Sequence, residues 1–116
     1  MHFDTNTTFW DRLAVKSYRA MLRYKPQHAL LHMNLGLAYI RLGQTPQAIR
    51  SLKKAIQCDS QHLEPSYHLA ALYLQLGNHK EALHYYRLYA SKQDSSGSLK
   101  NGSPVLAIIN ELENII

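Results

Sequence analysis

The chain of 116 residues has a net charge of +5, and 46% of its residues are apolar while 18% are charged. This composition favours one folded domain over a disordered segment, and no apolar run is long enough to span a membrane. The single cysteine, Cys58, excludes an internal disulfide framework, and the first residues lack the layout of a secretory signal, so we expect a cytoplasmic protein.

Six helices are predicted, because apolar residues recur at three- and four-residue steps along most of the chain. Their expected ranges are 8–24, 28–42, 45–58, 62–76, 79–92 and 104–115. Gly43 is expected to end the second helix and Gly77 the fourth, since helices often terminate in a left-handed residue. Thr45 is then expected to cap the start of the third helix and Asn78 that of the fifth.

One pattern of residues occurs twice, with an offset of 34 residues. Its members are Leu35, Gly36, Tyr39, Leu42, Gly43 and Ala48, and then Leu69, Ala70, Tyr73, Leu76, Gly77 and Ala82. A fixed period of this length is typical of stacked helical hairpins, each too small to bury its own apolar face. The pattern also extends backwards through Ala14, Val15, Tyr18 and Met21, so the chain opens with the second helix of a hairpin.

These apolar, small and glycine positions resemble the tetratricopeptide repeat over roughly residues 9–92. The resemblance implies an all-α fold, a short right-handed α-solenoid of antiparallel helical hairpins with about 2.5 repeats and a C-terminal helix. It divides the chain into a repeat array at 1–92 (half repeat 8–26, repeats 29–62 and 63–94), a flexible loop at 93–103 and an apolar helix at 104–116. Small residues are expected where helices cross, with large ones beside them: Gly36, Ala48, Ala55, Ala70 and Ala82, beside Leu35, Tyr39, Leu52, Leu69, Tyr73 and Tyr86.

In proteins of this family, the first helices of successive hairpins line a concave groove that holds an extended peptide or a partner helix. The resemblance assigns to this groove Leu30, Met33, Asn34, Leu37, Ile40 and Arg41 of the first hairpin, and Glu64, Tyr67, His68, Ala71, Leu74 and Gln75 of the second. Many of these residues are apolar, and an exposed apolar row usually marks a binding site. The alternative is that the first or last helix of the same chain buries them. Glu64 and His68 stand where relatives that clamp a chaperone's C-terminal carboxylate have cations, so we do not expect that function.

We therefore predict a non-enzymatic scaffold whose partner is a peptide or an amphipathic helix of another protein. One alternative is a constitutive structural subunit or homo-oligomer, associating through residues 3–18, where Phe3, Phe9 and Trp10 crowd together, or through residues 104–116. Another alternative is a small chaperone-like adaptor of a bacterial secretion or pilus system. The basic residues are dispersed without a recognition motif, so nucleic acid is not an expected partner.

The residues that could carry chemistry do not form a catalytic or metal-binding set. His28 and His32 have the spacing of two metal ligands, but His28 lies at a helix start and His32 at a packing position. Cys58 and His62 lack a third group that would orient a base. The carboxylates are dispersed, and no glycine-rich phosphate loop is present. We therefore predict no enzymatic activity and no cofactor or metal site.

Overall fold

The computed structural model of the chain describes residues 5–96 and 103–116. Six helices and no strand occur in these ranges: α1 (Thr5–Tyr24), α2 (Ala29–Arg41), α3 (Thr45–Cys58), α4 (Glu64–Gln75), α5 (His79–Ser96) and α6 (Pro104–Ile115). All six predicted helices are confirmed, and the largest differences in their bounds are at the start of α1 and the end of α5. None of the described helices combines the length and the apolar character that a membrane span requires.

The helices belong to two units, residues 1–60 with α1 to α3 and residues 61–116 with α4 to α6. In the first unit, α2 packs against both α1 and α3. In the second unit, α5 packs against both α4 and α6. Each unit is therefore an antiparallel hairpin with one further helix, which confirms the all-α fold of helical hairpins.

The two hairpin turns follow the same backbone design. Gly43 and Gly77 have φ angles of +74° and +77°, and at each turn the N–H groups of the glycine and of the next residue donate to carbonyls near the end of the preceding helix. This pattern is a Schellman motif, as expected from the two glycines. Asn78 caps α5 through its side chain, as predicted. The prediction for Thr45 is wrong: Thr45 is the first residue of α3, and Gln44 is the cap because its carbonyl accepts the first intrahelical hydrogen bond.

The positions predicted at the helix crossings are buried in both units. Gly36 shows how closely α2 and α3 approach: a Cβ atom built there would lie 2.9 Å from Leu52 Cγ and 3.3 Å from the carbonyl oxygen of Ala48. A methyl group at this position would therefore displace a neighbour. Side chains with no exposed surface at the crossings are Ala48, Leu52 and Ala55 in the first unit and Leu69, Ala70 and Ala82 in the second.

α5 is longer than predicted. The sequence predicts a flexible loop over 93–103, whereas α5 continues to Ser96, and residues 97–102 lie outside the described part of the chain. The difference begins where the helix has two side-chain hydrogen bonds: Lys92 Nζ donates to Ser66 Oγ of α4, and Gln93 Nε2 donates to Tyr89 Oη one turn earlier on α5 itself. Local propensity is a weak signal that such contacts override, so the serine-rich composition placed the helix end too early.

The last helix, α6, packs against α5 as a cap. Val105, Ile109 and Leu112 are buried, and Arg87 of α5 forms an ion pair with Glu113. The outer face of α6 is small and polar over most of its length, with Ala107, Asn110, Glu111 and Asn114, and becomes apolar only at its end, where Ile115 and Ile116 are exposed. Because a polar outer face is typical of the terminal helix of a repeat array, this arrangement supports the capping interpretation.

Candidate binding surfaces on α2 and α4

The predicted partner-binding residues of the first unit lie along α2. Leu30 is 46% exposed, Leu37 and Ile40 are half-buried, and Met33 is only 4% exposed. Met33 thus packs in the interior, which leaves a narrower apolar row than the repeat pattern implies. We call the partly exposed set the α2 surface; its members are Leu30, Asn34, Leu37, Ile40 and Arg41.

Arg41, at the end of the α2 surface, is held by α1. Its Nε donates to Asp11 Oδ1 over 2.7 Å, and the Asp11 side chain is 10% exposed while that of Arg41 is 50% exposed. The pair ties α1 to the C-terminal end of α2 and leaves half of the Arg41 side chain accessible. Sequence reasoning missed Asp11, which lies 30 residues away. The sequence feature that could have identified this pair is a lone carboxylate on the inward-facing stripe of α1, because a buried charge requires a partner.

The predicted residues of the second unit lie along α4 in two adjacent rows. Tyr67, Ala71 and Leu74 form an apolar row at steps of four and three residues. The Tyr67 side chain is exposed, and those of Ala71 and Leu74 are half-buried. Beside it, the polar row is Glu64, His68 and Gln75, of which His68 is half-buried. We call these six residues the α4 surface. Each member stands 34 residues after a residue predicted for the first hairpin, so the two units present equivalent faces of equivalent helices.

An aromatic cluster supports Tyr67. Its ring centroid lies 5.3 Å from that of Tyr89 and 6.0 Å from that of Tyr86, both on α5. Tyr86 is 2% exposed, and burial raises the pKa of its hydroxyl, with a smaller contribution from Tyr67. Tyr67 itself is 39% exposed, so it presents part of a ring whose orientation is set by packing on α5. The sequence placed Tyr86 and Tyr89 on one helix face, but did not show that this face supports the α4 surface.

Burial also affects His68 of the α4 surface. Burial lowers the pKa of His68 below its ordinary value, and the carboxylate of Glu64 acts in the opposite direction with a smaller effect. The imidazole is therefore neutral at pH 7 and offers one donor and one acceptor. At neutral pH, the charged members of the two surfaces are Arg41 on α2 and Glu64 on α4.

Three of the residues considered for chemistry, His28, His32 and Cys58, have structural hydrogen bonds. The His28 ring accepts a backbone N–H from the first turn of α2 at 3.3 Å, and the His32 ring lies 2.8 Å from the carbonyl oxygen of Pro26. Cys58 Sγ donates to Gln27 Oε1 over 3.4 Å. In the part of the chain that the structure describes, no three histidine, cysteine or carboxylate side chains form a group that could hold a metal ion.

Solved structures of tetratricopeptide repeat proteins are similar to this chain. The TPR2B domain of yeast Sti1, in a complex with pHsp70, has a TM-score of 0.76 and 18% identity, with 95% of this chain and 98% of that chain covered. The protein TTC0263 of Thermus thermophilus has a TM-score of 0.78 and 24% identity over 98% of this chain and 55% of that one. The type III secretion chaperone SycD of Yersinia enterocolitica, in complex with a peptide of the translocator YopD, has a TM-score of 0.77 and 18% identity, with 97% of this chain and 87% of that chain covered.

These likenesses show an all-α fold of the helical-solenoid class, and the 34-residue repeat together with the family model that matches residues 2–88 defines the chain as a tetratricopeptide repeat protein. Residues 2–88 match the family model described as anaphase-promoting complex, cyclosome, subunit 3, and the chain belongs to this family. No curated protein matches its sequence.

Proposed function

We propose that this protein is a non-enzymatic scaffold in which the α2 surface of the first unit and the α4 surface of the second unit are each able to bind a peptide segment or a helix of a partner protein. The observation that carries the proposal is that apolar side chains on the first helix of each hairpin remain accessible, with Leu30 and Tyr67 exposed and Leu37 and Leu74 half-buried. Partly exposed apolar rows beside polar side chains are typical of peptide-binding surfaces. The complexes of the Sti1 domain with pHsp70 and of SycD with a peptide of YopD, both of which share the fold, support the same role.

The polar rows indicate the chemistry of the bound segment. Asn34 and the accessible part of Arg41 suit a carbonyl or a carboxylate, whereas Glu64 accepts hydrogen bonds from N–H groups and neutral His68 can donate or accept. The apolar rows require aliphatic or aromatic side chains at matching intervals. A segment with apolar anchors and mixed polarity therefore fits these surfaces better than an acidic C-terminal tail.

Leu30→Glu and Leu37→Glu test the proposal on α2, and Tyr67→Glu tests it on α4. The probe is a 16-residue peptide selected on the wild-type protein from a displayed library, with its affinity measured by fluorescence anisotropy. A peptide that binds the α2 surface should bind at least tenfold more weakly to Leu30→Glu and Leu37→Glu, and one that binds the α4 surface should bind at least tenfold more weakly to Tyr67→Glu, while the helical circular dichroism is retained. Gln57→Glu, which adds the same charge at an exposed position of α3, is the matched control and should bind as wild type does. If all three variants bind the peptide at wild-type strength, the surfaces are assigned wrongly.

Leu30→Glu is the cleanest of these variants. Leu30 is exposed, so its replacement leaves the interior unchanged, whereas Tyr67→Glu also removes a ring from the aromatic cluster with Tyr86 and Tyr89. A loss of affinity in Tyr67→Glu therefore counts only if the melting temperature of this variant equals that of the wild type.

The second candidate function is that of a constitutive subunit of a larger assembly. The observation that favours it is the family model, whose description names a subunit of a complex. Association of copies through residues 3–18 or 104–116 is one form of this candidate, and Phe3 lies outside the described residues. Light scattering from low to high micromolar concentration tests the self-associating form, which a constant single-copy mass would exclude. The role of a secretion-system adaptor stays a hypothesis, because an 18% likeness to SycD shows the fold alone.

A further inference from the structure

The outward half of α1 carries an apolar stripe beside a basic stripe. Residues of an α-helix follow one another at about 100° around the axis. On this basis the exposed large apolar side chains fall within one third of the circumference, and the exposed basic side chains fall in the adjoining sector. The apolar stripe is Phe9, Trp10, Leu13, Met21 and Tyr24, between 42% and 87% exposed. The basic stripe is Arg12, Lys16, Arg19 and Arg23, all exposed.

The surface of the apolar stripe has two depressions that could each receive a large apolar side chain. One, of about 220 Å³, is lined by Phe9, Leu13, Arg12 and Lys16, and therefore lies on the boundary between the two stripes. The other, of about 260 Å³, lies near the opposite end of α1, where Met21 and Tyr24 meet residues 25, 28 and 31. About eleven residues separate their centres along α1, which corresponds to roughly 16 Å or three helical turns.

We propose that this outward face of α1 docks an amphipathic helix of a partner protein whose apolar seam is flanked on one side by Asp or Glu residues. The argument is charge complementarity. Every exposed charged side chain described on α1 is basic, and the one acid, Asp11, is buried and paired with Arg41. A partner helix that places apolar side chains in the two depressions would bring its acidic row against the basic stripe, and those charges would be only partly screened at an interface.

A second copy of the chain is a poorer occupant of this face. In a two-fold pair of antiparallel α1 helices, the two basic stripes would face each other. In a two-fold parallel pair, each basic stripe would face the apolar stripe of the other copy. Like charges in contact and buried charges without partners are both unfavourable, so both isologous arrangements are disfavoured. An anionic bilayer is also a poorer match, because its headgroups would surround the apolar stripe on both flanks, whereas on the other flank the exposed basic residue that the structure describes is Lys25 alone, just beyond the end of α1.

The position of Trp10 supplies a direct assay, since it is the only tryptophan of the chain. The probe is a designed 18-residue helical peptide with a leucine seam and four Glu residues along one flank, and its control has Gln in place of Glu. With the full chain, the Glu peptide should shift the Trp10 emission to the blue with a micromolar dissociation constant. The Gln peptide should bind at least tenfold more weakly, and added salt should reduce the difference.

Variants distinguish this site from the surfaces of the proposed function. Leu13→Glu and Arg12→Glu should each lower the affinity for the Glu peptide at least tenfold. The Arg12→Glu variant should bind a peptide with Lys in place of Glu more tightly than it binds the Glu peptide. Lys80→Glu, at an exposed position of α5, is the matched control and should bind as wild type does. Because both α1 positions are exposed, the helical circular dichroism should be retained.

Three results would overturn the inference. One is equal affinity for the Glu and Gln peptides. Another is a Trp10 shift with vesicles of phosphatidylserine and phosphatidylcholine but not with the Glu peptide. The third is a dimer in sedimentation experiments that Leu13→Glu converts to a monomer. None of these results bears on the α2 and α4 surfaces, so failure here leaves the proposed function to its own test.

Discussion

Gly36→Ala tests the close approach of α2 and α3. Alanine is more favourable than glycine inside a helix by about 1 kcal/mol, so propensity alone predicts stabilisation. The new methyl group would, however, lie 2.9 Å from Leu52 Cγ and 3.2 Å from Leu52 Cδ2, and Leu52 has no exposed surface into which it could move. Overpacking of this kind costs about 1–3 kcal/mol. We therefore expect a net destabilisation of about 1 kcal/mol, which lowers the melting temperature by about 4 °C.

A double-mutant cycle with Leu52→Ala separates the two contributions. Leu52→Ala removes the Cγ and Cδ2 atoms and leaves the contact with the Ala48 carbonyl, so Gly36→Ala should become stabilising by up to about 1 kcal/mol in this background. Because Leu52→Ala alone costs about 2–5 kcal/mol, urea unfolding is followed in the presence of trimethylamine N-oxide to populate the folded state.

Gly43→Ala is the matched control for the cycle. A Cβ atom at Gly43 would meet no atom within 4 Å, but the φ angle of +74° lies in the left-handed region. Its cost of about 1–2 kcal/mol is therefore local to the backbone and should be the same with either residue at position 52. If Gly36→Ala stabilises the wild-type chain, or destabilises both backgrounds equally, the reasoning about helix approach is wrong.

Three further predictions concern other parts of the fold. Arg41→Met should cost about 1–3 kcal/mol, because it leaves the Asp11 carboxylate buried without its partner, and urea unfolding should show a smaller loss for Asp11→Asn. Ile109→Ala should lower the free energy of unfolding by about 2–4 kcal/mol if α6 caps α5, whereas a change below about 0.5 kcal/mol would show that α6 is not docked. His68 should make the protein less stable on acidification. Because the pKa of His68 is lower in the folded state, the unfolded chain binds a proton at a higher pH than the folded chain does. The contribution of His68 to the free energy of unfolding is therefore complete above about pH 6.5 and is lost as the pH falls through the folded-state pKa. His68→Gln should therefore reduce the decline of the melting temperature between pH 7 and pH 5, and an unchanged decline would contradict the assignment.

Helix positions, hairpin turns and crossing residues were predictable from the sequence because each depends on interactions within a turn or a hairpin. Gly43 and Gly77 end their helices through backbone geometry that a glycine adopts without strain. The 34-residue offset identifies Gly36 and Ala70 as the small residues of their crossings, and both are buried. The predicted binding residues also follow from this offset, and those that the structure leaves accessible form the basis of the proposed function.

Tertiary structure alone decided which of these residues are accessible and which charges meet. Met33 and Leu37 occupy one apolar row of α2, but only the packing of neighbouring helices determines that Met33 is buried and Leu37 is not. Asp11 and Arg41 are too far apart in sequence for any local pattern to pair them. The hydrogen bond from Lys92 of α5 to Ser66 of α4 likewise joins two helices that no local pattern relates. Periodicity reports what a helix can present, whereas burial and charge pairing depend on which other helices pack against it.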